Sequence, residues 1–264
     1  MSSGVIPIGN LQLALASGFL LAAGIVSWRL ALGEGKRIAI AGARGFLQLL
    51  AMGFLLVYLF RYQSWWLVLL VVLGMIAAAT QIALDRVRHA VPGLAPDVFA
   101  SILVTSVAIT FIVVDGIIGP DPWYSARQFV PIAGMVIGNT MSAVAVAIGR
   151  LFSDLDAREE EIHTMVSLGA TPREAAFPSI KAAVGAGLTG PLATLSAAGL
   201  VQIPGMMTGQ ILAGADPVMA AKYQVVVLLM LTAATAVSVV TVCYLTYRKR
   251  FSDEGYYLGR ALRD

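Results

Sequence analysis

The chain has 264 residues, of which 58% are hydrophobic and only 12% charged, with a net charge of +3 and a mean hydropathy of +0.83. Soluble domains carry about twice that charged fraction, so the composition excludes a soluble globular protein, and its apolar content excludes a disordered one. A lone cysteine, Cys243, leaves neither a disulfide framework nor a cysteine-based zinc site, and the small positive charge gives no reason to expect a nucleic-acid partner.

No charged residue precedes Arg29, and Leu11 to Trp28 is one apolar run. A cleavable signal would begin with basic residues, so this run reads as a retained span. Further apolar stretches predict spans at about 8–32, 38–60, 64–84, 97–118, 128–149, 182–212 and 224–247. Each approaches or exceeds the ~20 residues a helix needs to cross hydrocarbon. Backbone groups there must pair within their own segment. The expected fold is therefore all-α, a polytopic membrane protein of about seven helices in one domain, 1–264.

Span two carries Arg44 and Gln48 one turn apart, so Arg44 should face protein or water, or snorkel to the near edge. Asp85, ending span three, should pair with Arg86 or Arg88. The sixth segment is longer than a bilayer requires and contains Pro191, Pro204 and several glycines. It predicts a break at Pro204-Gly205, with Ile203 to Gly214 as a separate helix or re-entrant turn near the outer side.

Seven spans put the termini on opposite sides. With the N-terminus outside, the inner segments hold Lys36, Arg37, Arg86, Arg88, Arg150, Arg158, Arg173, Lys181, Arg248, Lys249, Arg250, Arg260 and Arg263, against Arg61, Arg127 and Lys222 outside. That asymmetry predicts N-out, C-in. Trp65, Trp66, Trp123 and Tyr124 then fall at the outer interface, where amphipathic rings settle.

The longest hydrophilic stretch is the inner loop 150–181. Asp154 or Asp156 is expected to cap a short helix, with Glu159 to Glu161 in its first turns, where the dipole favours anions. Ile162, Met165, Val166 and Leu168 give it an apolar stripe, and Gly169 stops it. A second helix starts with Thr171 as N-cap, Pro172 first and Glu174 third.

This loop, LGATPREAAFPSIKAAVGAG, resembles the cytoplasmic coupling loop of ABC-transporter permeases. Where the importers of that class read Glu-Ala-Ala, this chain has His163, Thr164 and Met165, so the loop departs from the importer pattern. Pro131 to Leu151, PIAGMVIGNTMSAVAVAIGRL, and Leu200 to Gln224, LVQIPGMMTGQILAGADPVMAAKYQ, resemble the FetB-like (YbbM-type) family of bacterial ABC permeases, described as iron exporters, with plant relatives linked to aluminium tolerance. The resemblance covers nearly the whole chain. It implies a multi-pass protein of the bacterial inner membrane that works as two copies with a separate ABC ATPase subunit. ATP and magnesium would sit on that subunit, with no cofactor in this chain. It also implies that Glu160, His163, Met165, Leu168, Gly169, Ala170 and Thr171 couple to the ATPase.

The glycine pairs Gly134/Gly138 and Gly205/Gly209 have the spacing that lets helices pack closely. Packing does not account for the polar and thioether groups beside them. Asn139, Gln202, Met206, Met207, Thr208 and Gln210 are candidates to line a pathway, the other reading being inter-helix hydrogen bonds and packing.

No G-x-x-x-x-G-K-[ST] phosphate loop occurs, so this chain is not expected to be an enzyme by itself. Glu160 and His163 have an E-x-x-H spacing, but di-iron bundles need that pair twice with further glutamates. His89 reads as a surface residue, and the metal ligands remain unassigned. The expected function is the membrane subunit of an ATP-driven transporter, exporting a metal cation. The alternatives are ABC export of a small organic conjugate, a secondary carrier, and a scaffold without transport. A carrier would show internal repeats and paired intramembrane carboxylates, which this chain lacks.

Overall fold

The computed structural model describes residues 9–31, 33–87, 92–252 and 254–259. Arg88, His89, Arg260 and Arg263 lie outside the described residues. The described chain is helical, without a β-strand: α1 (Asn10–Arg29), α2 (Gly35–Tyr62), α3 (Trp65–Asp85), α4 (Leu94–Val113), α5 (Ala126–Ala157), α6 (Glu159–Ser167), α7 (Pro172–Ala197), α8 (Gly205–Leu212) and α9 (Pro217–Thr246). A π-turn, Val114–Ile118, prolongs α4, and a 3₁₀ turn, Tyr247–Arg250, prolongs α9.

Among the described residues, six stretches are long and apolar enough to cross a membrane: Asn10–Arg29, Gly35–Tyr62, Trp65–Asp85, Leu94–Ile118, Ala126–Ala157 and Pro217–Arg250. The fold is that of a polytopic all-α membrane protein. Helix α7 is less apolar, since its 26 residues include Pro178, Pro191, Lys181 and three glycines, Gly185, Gly187 and Gly190. It is nevertheless buried along α5 and α9 through Ala176, Ile180, Ala183 and Gly187.

Helix α5 is the hub and packs against α3, α4, α7 and α9. Its inward residues Val136, Val144, Ile148 and Leu151 are completely buried. Gly187 is where α7 comes closest, because a Cβ there would stand 3.1 Å from the Ala143 carbonyl oxygen, Ala147 Cβ and Val239 Cγ1. Outside this core, α1 and α2 form a hairpin in which Leu20 lies over Gly42. Its outer surface, including Arg44 and Gln48, is exposed, so Arg44 is not drawn into the bundle.

Long-range contacts fix the helix directions. Arg158 meets Ser179, and Asn139 shares a groove with Thr194, so α5 and α7 are antiparallel. Lys249 pairs with Asp97 at 3.0 Å, and Ser101 Oγ donates to the Ser238 carbonyl at 2.8 Å, so α4 and α9 are antiparallel as well. The bundle thus has a loop end, with the α5–α6–α7 junction and the residues after α9, and a far end, with the π-turn, α8 and the start of α9. Trp65, Trp66 and Trp123 remain exposed, and Trp123 stacks edge-on with Phe111 and Phe129 near the far end.

Two expectations are corrected. Helix α5 does not stop near residue 149 but runs to Ala157, held by the buried side chains of Leu151, Phe152 and Leu155. Asp154 and Asp156 therefore lie in its last turns and do not cap α6, whose N-cap is Arg158. Asp154 pairs instead with Arg150, and Asp156 with Arg250. The long sixth segment is broken as expected, but earlier: α7 ends at Ala197, a turn follows, and Pro204 serves as the N-cap of α8. At the end of α3, Asp85 accepts from Gln81 at 2.9 Å.

Candidate functional site

Two places gather the residues singled out by sequence. At the loop end, local chemistry builds a rigid turn between α6 and α7. Gly169 adopts φ +95°, which glycine allows without a Cβ clash. Its N–H donates to the Val166 carbonyl and that of Ala170 to the Met165 carbonyl, both at 2.9 Å, the pair of bonds that closes a Schellman C-cap. Thr171 follows as a capping box: Glu174 N–H donates to Thr171 Oγ1 at 3.3 Å, and Thr171 N–H donates to Glu174 Oε2 at 2.8 Å. The Thr171 N–H first, and its hydroxyl second at 2.7 Å, donate to the Glu174 carboxyl and hold it below its ordinary range.

Arg158 ties this turn to the bundle. Its guanidinium grips both Glu161 oxygens, at 2.8 and 2.6 Å, and donates to Ser179 Oγ on α7 at 2.9 Å. The bond to Glu161 raises the Arg158 pKa and lowers that of Glu161. Ile162 is fully buried, and Met165 and Val166 are half-buried against the core. Leu168 is not part of that stripe: as the C-cap it turns outward and is 83% exposed. Glu160 is exposed, and His163 stands 4.0 Å from Glu159 with its ring edge-on to Tyr257. Sequence therefore locates the loop correctly but misplaces Leu168, because the helix ends one residue before it.

At the far end, a cavity of about 600 Å³ opens between the π-turn, α5, α8 and α9. Of the candidate pathway residues, Met206 and Gln210 line it. The others lie elsewhere. Asn139 sits in a separate groove of about 260 Å³ between α5 and α7, its Nδ2 donating to the Met135 carbonyl at 2.8 Å. Gln202 is exposed in the α7–α8 turn, the Met207 N–H donates to Gln224 Oε1 at 3.2 Å, and Thr208 donates back to the Pro204 carbonyl at 3.3 Å. Sequence reading missed Arg127, Gln128, Met135 and Tyr223, which complete the cavity wall. The Gln128–Met135 spacing of two helical turns was the available signal, since it sets both on one face of α5.

The family model described as Uncharacterised protein family (UPF0014) matches residues 10–251. The chain is 36% identical over 242 residues to the UPF0014 membrane protein YjkA of Bacillus subtilis, covering 92% of this chain and 95% of that one. It is 34% identical over 246 residues to the Probable iron export permease protein FetB of Escherichia coli, covering 93% of each. It is 32% identical over 244 residues to the Protein ALUMINUM SENSITIVE 3 of Arabidopsis thaliana, covering 92% of this chain and 88% of that one. No solved structure matches the chain.

Proposed function

We propose, from the premise that this chain belongs to the UPF0014 family of multi-pass membrane proteins, that it is the permease subunit of an ATP-driven ABC transporter. Two copies form the pathway in a bacterial inner membrane. A separate ATPase subunit, carrying ATP and magnesium, docks on the loop end. The cargo is a metal, iron by analogy with the name of the FetB relative. The chain crosses the bilayer seven times, with α7 as the sixth crossing, the N-terminus outside and the loop end inside. The antiparallel run of α7 beside α5 supports that count, and the basic residues Arg150, Arg158, Arg173 and Arg248 at the loop end support the orientation.

The observation that carries this reading is Leu168: a large apolar side chain, 83% exposed, on a turn fixed by a Schellman cap and a capping box. An isolated apolar knob on rigid backbone suits a cleft in a partner, where burying a leucine stabilises by about 1.5–3 kcal/mol. Glu160, His163, Met165, Gly169, Ala170 and Thr171 shape and support that knob. Purified with its ATPase, the wild-type chain should co-elute with it, and the chain alone should hydrolyse no ATP. Leu168→Asp should lose co-elution while its melting temperature stays unchanged. Normal binding and normal transport by that variant would end the coupling reading.

A further inference from the structure

The far-end cavity offers chemistry that does not match a bare metal ion. Its lining contains one fixed charge, and that charge is positive: Arg127, whose guanidinium lies 5.7 Å over the Phe60 ring of α2. Around it stand the amides of Gln128 and Gln210, the Tyr223 hydroxyl, and the thioethers of Met135 and Met206. The Gln210 carbonyl oxygen is buried without a partner in this wall. A side-chain amide can turn to offer either its oxygen or its NH₂ to a ligand. An adjoining recess of about 190 Å³ shares Ile118 and Tyr223 and adds a second cation, Lys222. The carboxylates near this end, Asp115, Asp121 and Asp216, are outside both linings, and Asp216 accepts from the Met219 N–H as the N-cap of α9.

Hard cations take about six or more oxygen ligands and depend on carboxylates to offset their charge. In this cavity such an ion would face a guanidinium instead. An anion with several oxygens finds a planar fork held by an aromatic ring, flanked by neutral donors. The volume fits a small molecule, whose sites run to about 300–1,000 Å³. We propose that the far-end cavity binds a small polycarboxylate-type oxyanion, free or as its metal chelate, and that metal reaches this protein only in such a complex. The inference deepens the permease reading and rests on it for the cavity's place on the pathway.

Binding is measured on the full chain in lipid nanodiscs by equilibrium dialysis, with citrate, ferric citrate and ferrous chloride as probes. Saturable binding of citrate and of ferric citrate, weakened about tenfold in Arg127→Gln and by a smaller factor in Arg127→Lys, which keeps the charge but loses the fork, is the expected result. Equal binding of citrate and ferric citrate identifies the anion itself as the recognised group, whereas binding of ferric citrate alone identifies the chelate. Arg127 is exposed, so unchanged melting of both variants is expected and separates ligand loss from unfolding. Saturable ferrous binding that Arg127→Gln leaves intact or strengthens overturns the proposal, as does failure of both anions to bind the wild type. The docking test is independent of these probes. Anion binding without ATPase co-elution removes the ATP-driven reading and keeps the ligand class, and co-elution without anion binding removes the ligand class alone.

Discussion

Arg250, at the end of the 3₁₀ turn that follows α9, places Nη1 3.3 Å from Asp156 Oδ1, in the last turn of α5, although 94 residues separate them. The Arg250 side chain is 1% exposed and stacks 4.6 Å from the Phe152 ring centroid. Tyr257 donates to the same carboxylate oxygen at 3.0 Å, and the Gly259 carbonyl accepts from Arg250 at 3.3 Å. The described residues after α9 are thereby folded back onto the α5–α6–α7 junction, with Gly255 against Pro172.

Removing the Arg250 guanidinium deletes a buried bond to a charged group, while Asp156 keeps its bond from Tyr257, at a cost of about 1.5–3 kcal/mol. Arg250→Met should therefore lower the melting temperature markedly and speed amide hydrogen exchange in α6. Tyr257→Phe removes one hydrogen bond and should cost about 1 kcal/mol. Burial first, and the Asp156 carboxylate second, raise the Tyr257 pKa above its ordinary 10.0. Its contribution to stability is full below that value and is lost as pH climbs past it toward the higher folded value. Alkaline titration of tyrosine absorbance should show a late-ionising component that Tyr257→Phe removes.

Gly187 leaves no room for a side chain, because three atoms of α5 and α9 would lie 3.1 Å from an added Cβ. Gly187→Leu should wedge α7 from its neighbours and cost about 1–3 kcal/mol, read as a lower melting temperature in detergent. The same substitution at Gly185, where a Cβ meets nothing within 4 Å, should have little effect.

Thr171 and Glu174 cap α7 reciprocally. Thr171→Ala should cost about 1 kcal/mol. Because the folded Glu174 carboxyl titrates below its ordinary 4.5, its contribution is present above that pH and fades as pH falls toward the lower folded value. Wild-type thermal stability should therefore drop more steeply below about pH 4.5 than that of Glu174→Gln.

With α5, α7 and α9 each crossing the bilayer as proposed, reporter fusions at Gly119 and Lys249 should report opposite sides of the membrane. Activity of both fusions on one side would reject that count.

The membrane class, the approximate spans and the capped turn around Gly169 are legible in the sequence because their causes are local. Hydrocarbon demands about 20 apolar residues in a row, and Gly169, Thr171, Pro172 and Glu174 satisfy backbone groups within a few positions of themselves. Only the tertiary structure decides the rest. Apolar patterning ends α5 near residue 149, yet burial of Leu151, Phe152 and Leu155 carries the helix on to Ala157, and Asp154 and Asp156 become partners of the neighbouring Arg150 and the distant Arg250 rather than caps. Likewise Arg127 reads as one basic residue in a short loop until α5, α8 and α9 converge and set it beside Gln210 and Tyr223. Hydropathy records how each segment meets its surroundings, whereas the partner of a charge depends on which segments pack together, and that is fixed by contacts between residues far apart in the chain.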